Sequence, residues 1–307
     1  MSELLVRFTN YFRDILRIKR KKGKKNSIAL SSQTDNEASV KSEQEVALTC
    51  NQEESKETMN YFDYQISKIP GAEMLGLRTF EKFERRFRSK NLIAKAEDFP
   101  NLDPNNSIRV SSQLDNQQKT VFGTAISPQD TKQGQLGDCY LIAAINCIAK
   151  KPDYVRRLFH SDAISSTGLY CLWLCDSGKW VSIVIDDFAP SVDEKLKYAS
   201  TKNGNIWGIL IEKAYAALFN GYDRIIAGTP SEALSILTGA PTTSLKIDGS
   251  NMKGKKRKKF EGDGFLEIIK RCFDQGFLLC ASTSDNNDDS VLPSGIKRDH
   301  GYSILDI

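Results

Sequence analysis

The chain has 307 residues, 40% hydrophobic and 27% charged, with a net charge of +4. That composition excludes a wholly disordered or fibrous protein, and the length suits one large domain or two modest ones. The charge is too mild to imply a specific nucleic-acid partner, and no window reaches the roughly 18 apolar residues of a membrane span. Seven cysteines, at 50, 139, 147, 171, 175, 272 and 280, form no even, spaced framework. Free thiols in a reducing, cytoplasmic setting fit better than disulfides, and without a C-x-x-C pair a zinc site is not expected.

In chain order, "MSELLVRFTNYFRDILRIKRKKGKK" opens with Leu4, Leu5, Phe8, Phe12, Ile15 and Leu16 at helical spacing, amid Arg7, Arg13, Arg17 and a run of lysines. Residues 1–25 therefore read as a basic amphipathic helix. Such a helix can lie on an anionic membrane surface or dock on a partner, giving a membrane-peripheral placement, or pack on its own protein. Residues 26–59 are rich in Ser, Gln, Glu, Thr and Asn, too poor in apolar side chains to offset the ordering of the backbone, and read as a disordered linker. Residues 60–92 form a short helical lead-in, with Phe80, Phe83 and Phe87 on one face of "TFEKFERRFRSKN".

The main body is taken in two parts, residues 93–245 and 246–307. In the first part a helix runs from Tyr140 to about Lys150, followed by a hairpin of two buried strands turning at Asp176-Ser177-Gly178. "IWGILIEKAYAALFNGY" reads as a helix closed by Gly221, and "SEALSILTG" as one capped by Ser231 and ended by Gly239. The second part holds a glycine-broken basic loop, "KGKKRKK", then a helix in "GFLEIIKRCFDQG". A strand in "FLLCAST", a polar loop and a last strand opening at "HGYSILDI" complete it.

The chemistry concentrates where "DTKQGQLGDCYLIAAI" changes from polar to apolar, at Cys139. A thiol at the first turn of a helix gains from the unpaired N–H groups and the helix dipole, both of which favour the thiolate. Gly134 and Gly137 permit a tight approach loop. An oxyanion would find a donor in the Cys139 backbone N–H and a second in a side-chain amide such as Gln133. Of the two histidines, His160 reads as a surface or helix-end residue, and His300, opening the final strand, as the partner base.

At these residues the sequence resembles the calpains, papain-like cysteine endopeptidases. "QGQLGDCYLIAAI" is similar to their nucleophile motif, with Tyr140 where Trp is usual. The likeness continues in order through "WVSIVIDDFAP", "WGILIEKAYAALFNGYDRIIAGTPSEALSILTGAP", "GFLLCAST" and "HGYSILDI", and "AEDFPNLDP" resembles a stretch these proteases carry upstream. The resemblance implies an α+β fold, with a helical first subdomain carrying the cysteine, a β-rich second one carrying the histidine, a boundary near Pro241–Asp248 and a cleft between the two. It implies Cys139 as nucleophile, His300 as general base and acid, Gln133 as oxyanion donor, and hydrolysis of protein substrates.

It also implies Ca²⁺, with Asp130 at the place of a first carboxylate ligand; Lys202, Asn203 and Asn205 occupy the region of the second. The family's third catalytic residue, an Asn in an Asn-Pro-Trp stretch, falls after Ile307, so the chain reads as C-terminally truncated with an incomplete second subdomain. The alternative expectation is a non-catalytic remnant acting as a binding scaffold, with the N-terminal helix serving membrane or partner targeting.

Overall fold

The helix foreseen around Phe80 extends back to Ala72 (α1, Ala72–Ser89). This computed structural model describes residues 72–95, 99, 102–115, 118–202, 204–244, 263–283, 291 and 295–307, all within one unit. The expected amphipathic helix at 1–25, the linker at 26–59 and the basic loop at 253–259 lie outside the described residues.

Short strands β1 (Ser107–Arg109) and β2 (Thr131–Lys132) precede the helix α2, Cys139–Ile148. Every α2 residue from Tyr140 to Ile148 except Asn146 is buried, as expected of a helix apolar all round. After α3 (Pro152–Arg156) come β3 (Leu169–Asp176) and β4 (Lys179–Asp186), paired antiparallel in unbroken register from Leu169 opposite Asp186 to Asp176 opposite Lys179. The connecting residues Ser177 and Gly178 have φ of 52° and 76°, the two positive values that a two-residue turn matching the strand twist demands.

Strands β5 (Phe188–Val192), β6 (Lys195–Leu196) and β7 (Ser200–Thr201) follow, then the helices α4 (Trp207–Phe219) and α5 (Pro230–Thr238). β5 lies between β1 and β6, while β2 pairs with β7. Helix α4 stops because Asn220 turns left-handed, at φ 66°, with Gly221 beyond it at φ 133°. α5 is capped by Thr229, whose hydroxyl accepts from the Glu232 N–H at 3.3 Å, and not by Ser231. Pro230 has no N–H to lose and a φ already suited to a first helical position, so the helix begins earlier than the serine suggests.

The chain continues through α6 (Asp263–Asp274) to an antiparallel pair, β8 (Leu279–Ser282) and β9 (Gly301–Ile304). The β3–β4 hairpin is covered by α1, α4 and α5, while α2 packs between α5 on one side and the β8–β9 pair on another. Trp207, Tyr215, Tyr222, Leu141 and Ile145 are among the largest side chains fully enclosed in this core. The result is mixed helix and sheet, with every described strand pair antiparallel.

One charged pair is enclosed with the apolar groups. The Lys213 ammonium on α4 lies 2.7 Å from Asp186 at the end of β4 and also donates to the Phe188 carbonyl at 2.5 Å. Both side chains are 1% exposed, so each charge depends on the other for the solvation that water would have given.

Candidate active site

Cys139 is the first residue of α2, and its side chain is partly exposed while nearly all the rest of the helix is enclosed. The approach loop is fixed by contacts that glycine alone allows. A β-carbon on Gly134 would sit 2.1 Å from the Tyr198 carbonyl oxygen, and the next N–H, of Gln135, donates to the Lys197 carbonyl at 2.9 Å. On the far side of the loop, the Ala227 N–H donates to the Gly137 carbonyl at 2.9 Å.

His300 immediately precedes β9. Its backbone exchanges hydrogen bonds with Thr283: the Thr283 N–H donates to the His300 carbonyl at 3.0 Å, and the His300 N–H donates to the Thr283 hydroxyl at 3.0 Å. The neighbouring Gly301 presses directly on the start of α2. A β-carbon there would lie 3.0 Å from Tyr140 Cα and 3.2 Å from the Cys139 carbonyl oxygen. The histidine and cysteine backbones are thereby held at one seam, although no hydrogen bond joins thiol to imidazole among the described residues. Partial burial, followed by the Lys297 ammonium, holds the His300 imidazole below its ordinary pKa, with Asp299 opposing. Its ring meets that of Tyr302 edge to face, with centroids 4.9 Å apart.

Gln133 is also in the loop, half-buried. Its amide donates to the Leu136 carbonyl at 2.7 Å, which fixes the side chain and leaves a second N–H on the same nitrogen. His160 is elsewhere: it is exposed and packs edge to face on Phe80 of α1, at 5.5 Å. Asp130 is 2% exposed and its carboxylate accepts from the Ser127 N–H at 2.8 Å, closing a local turn. Among the described residues no three or more His, Cys, Asp or Glu side chains gather as a metal site would require. A hard cation takes several oxygen ligands, of which Asp130 by itself would supply one.

The sequence reading missed the groups behind the nucleophile. Asp138, the residue before Cys139, is fully buried, and neither carboxyl oxygen caps the helix or finds another ordinary partner. Facing it is the Glu212 carboxyl from α4, 1% exposed, which accepts from the Ala199 N–H at 3.0 Å. Burial pushes Asp138 up to about 6, and burial together with the Asp138 charge holds Glu212 well above the usual carboxylate range. In a dry site the charge of Asp138 opposes ionisation of Glu212. The signal was in the sequence: Glu212, with Lys213, interrupts the apolar run of "WGILIEKAY", and an acid on a buried helix face needs a reason.

Tyr140 is also more than a filler. Its hydroxyl donates to the Ile225 carbonyl at 3.1 Å, and a β-carbon on Gly228 would meet its ring at 2.5 Å. The aromatic residue after Cys139 thus pins the segment between α4 and α5 to this loop.

The family model described as "Calpain family cysteine protease" matches residues 89–307. Among similar curated proteins, Calpain clp-1 of Caenorhabditis elegans is 33% identical over 181 residues, 57% of this chain and 22% of that protein. Calpain-1 catalytic subunit of Rattus norvegicus is 31% identical over 222 residues, 68% of this chain and 29% of that one. Calpain-type cysteine protease DEK1 of Zea mays is 29% identical over 193 residues, covering 62% of this chain and 9% of its own. The chain therefore spans less than a third of the length of these relatives.

Proposed function

The chain belongs to the calpain family of cysteine proteases, and from that premise we propose that Cys139 and His300 hydrolyse peptide bonds in extended protein segments. The Cys139 thiolate attacks the scissile carbonyl carbon, and the oxyanion that forms takes hydrogen bonds from the Cys139 backbone N–H and the second Gln133 N–H. His300, holding the thiol's proton, delivers it to the leaving amine as the C–N bond breaks, which leaves a thioester. Water then attacks the thioester, His300 accepts its proton, and the carboxylic acid product departs as the thiol is restored.

The observation that supports this most is the contact of Gly301 with Cys139 and Tyr140, because it sets the His300 backbone against the start of the nucleophile's helix. The lowered His300 pKa keeps the imidazole neutral, and so able to accept the thiol proton, into mildly acidic solution. Calpains are in general calcium-regulated; here Asp130 alone stands where a ligand is expected, and no step above depends on the ion. A cytoplasmic place, with residues 1–25 on an anionic membrane surface or a partner, is part of the proposal and rests on sequence. The binding-scaffold alternative has no observation of its own in its favour.

The test uses the full chain and an epoxysuccinyl, thiol-directed inhibitor beside an unfolded protein substrate. Labelling of Cys139 with cleavage of the substrate, both lost in Cys139→Ala and both suppressed in His300→Ala, is the expected result. A folded chain that neither cleaves nor takes the label refutes the proposal.

A further inference from the structure

Cys147 and Cys280 face each other across the seam between α2 and β8. The Cys147 thiol donates to the Leu279 carbonyl at 3.3 Å, and the Cys280 thiol lies 3.7 Å from the carbonyl of Ala143, one turn earlier on the same helix. Each thiol thus reaches the backbone beside the other cysteine, since Leu279 precedes Cys280 and Ala143 lies one turn before Cys147. Cys147 is wholly enclosed, whereas Cys280 retains partial exposure. The hydrogen bond from Cys280, followed after opposing desolvation by the Leu279 backbone and the Lys150 and Lys151 ammonium groups, lowers the Cys147 pKa. The same hydrogen bond, followed by burial and the Cys147 charge, pushes the Cys280 thiol up in turn.

We propose that Cys147 and Cys280 are a thiol modification site, forming a reversible disulfide with a low-molecular-weight disulfide such as glutathione disulfide as the oxidant. Cys280, the accessible member, passes its proton toward the neighbouring Cys147 thiolate and attacks one sulfur of the reagent, and the released thiolate takes up that proton. The Cys147 thiolate then displaces the second thiolate from the mixed disulfide. In balance, two protein thiols are oxidised to one disulfide and the reagent is reduced to two thiols. The bond fastens α2 to the β8–β9 pair about two helical turns, roughly 12 Å, from Cys139. Its bearing on activity rests on the proposed function: it joins the helix of the nucleophile to the strand pair of the histidine and consumes neither group.

The experiment takes the full chain carrying Cys139→Ala, so that the partly exposed thiol at the start of α2 cannot exchange, and incubates it with glutathione disulfide. Expected are the mass loss of one disulfide, a linked peptide joining Cys147 to Cys280, and a rise of about 10 °C in the unfolding midpoint, reversed by dithiothreitol. With Cys147→Ser added, Cys280 should keep a glutathione and the midpoint should not rise. Cys280→Ser, at the partly exposed position, should also abolish the rise. A folded chain in which the two cysteines stay reduced, or pair with other cysteines, overturns the proposal. None of these readouts involves catalysis, so they stand or fall independently of the protease reading.

Discussion

Replacing Glu212 by Gln tests whether the fold holds a proton behind the nucleophile. In the unfolded chain the two carboxyls lose their protons near 3.8 and 4.5, whereas in the folded protein both are raised. The folded state therefore binds more protons than the unfolded state above those values, and stability falls as pH rises. For Asp138, the rise from 3.8 to about 6 corresponds to about 3 kcal/mol lost by neutral pH. While Glu212 also keeps its proton, it removes a further ~1.4 kcal/mol per pH unit.

Gln keeps the acceptor for the Ala199 N–H and offers Asp138 an amide N–H, but it has nothing to titrate. The variant should match the wild type near pH 5 and exceed it increasingly toward pH 8. At ~1.4 kcal/mol per pH unit the unfolding midpoints should separate by about 3–5 °C per unit. Thermal melts of both proteins across pH 5 to 8, at one ionic strength, give the difference curve, in which groups not coupled to Glu212 cancel. Parallel curves, with Gln shifting stability equally at every pH, would refute a proton held on Glu212.

Two further outcomes follow from single contacts. Lys213→Met strips the partner from a buried Asp186 carboxylate and should destabilise the protein by about 3–5 kcal/mol in urea unfolding; a loss under about 1 kcal/mol would show that Asp186 is adequately satisfied by its backbone bonds. Gly301→Ala puts a methyl 3.0 Å from Tyr140 Cα, and because the neighbour is backbone the strand must move away from α2. Peptide turnover and inhibitor labelling should fall together by up to about 100-fold, with little change in KM; turnover within twofold of wild type would mean that this contact does not set the catalytic geometry.

The elements legible in the sequence were those with a local cause. Ser177-Gly178 could serve only a tight turn between two apolar runs, and the register from Leu169 to Asp186 follows from it. The start of α2 at Cys139 was legible because the apolar run begins there at once. The start of α5 was misplaced by two residues because a serine is a common cap, and the choice of Thr229 depends on how Pro230 joins the helix. Lys213 and Glu212 stand out as charges in an apolar helix, but nothing around them names what they pair with. Their partners, Asp186 and Asp138, are far away in sequence.

By itself the sequence determined the family, the cysteine at a helix start and the histidine at a strand start, since each is written in neighbouring residues. Only the tertiary structure decided which backbones touch: Gly301 on Tyr140, Glu212 opposite Asp138, Cys280 beside Cys147. The physical reason is that proximity between distant segments is set by packing the whole core around α2. No local pattern around either partner encodes that distance.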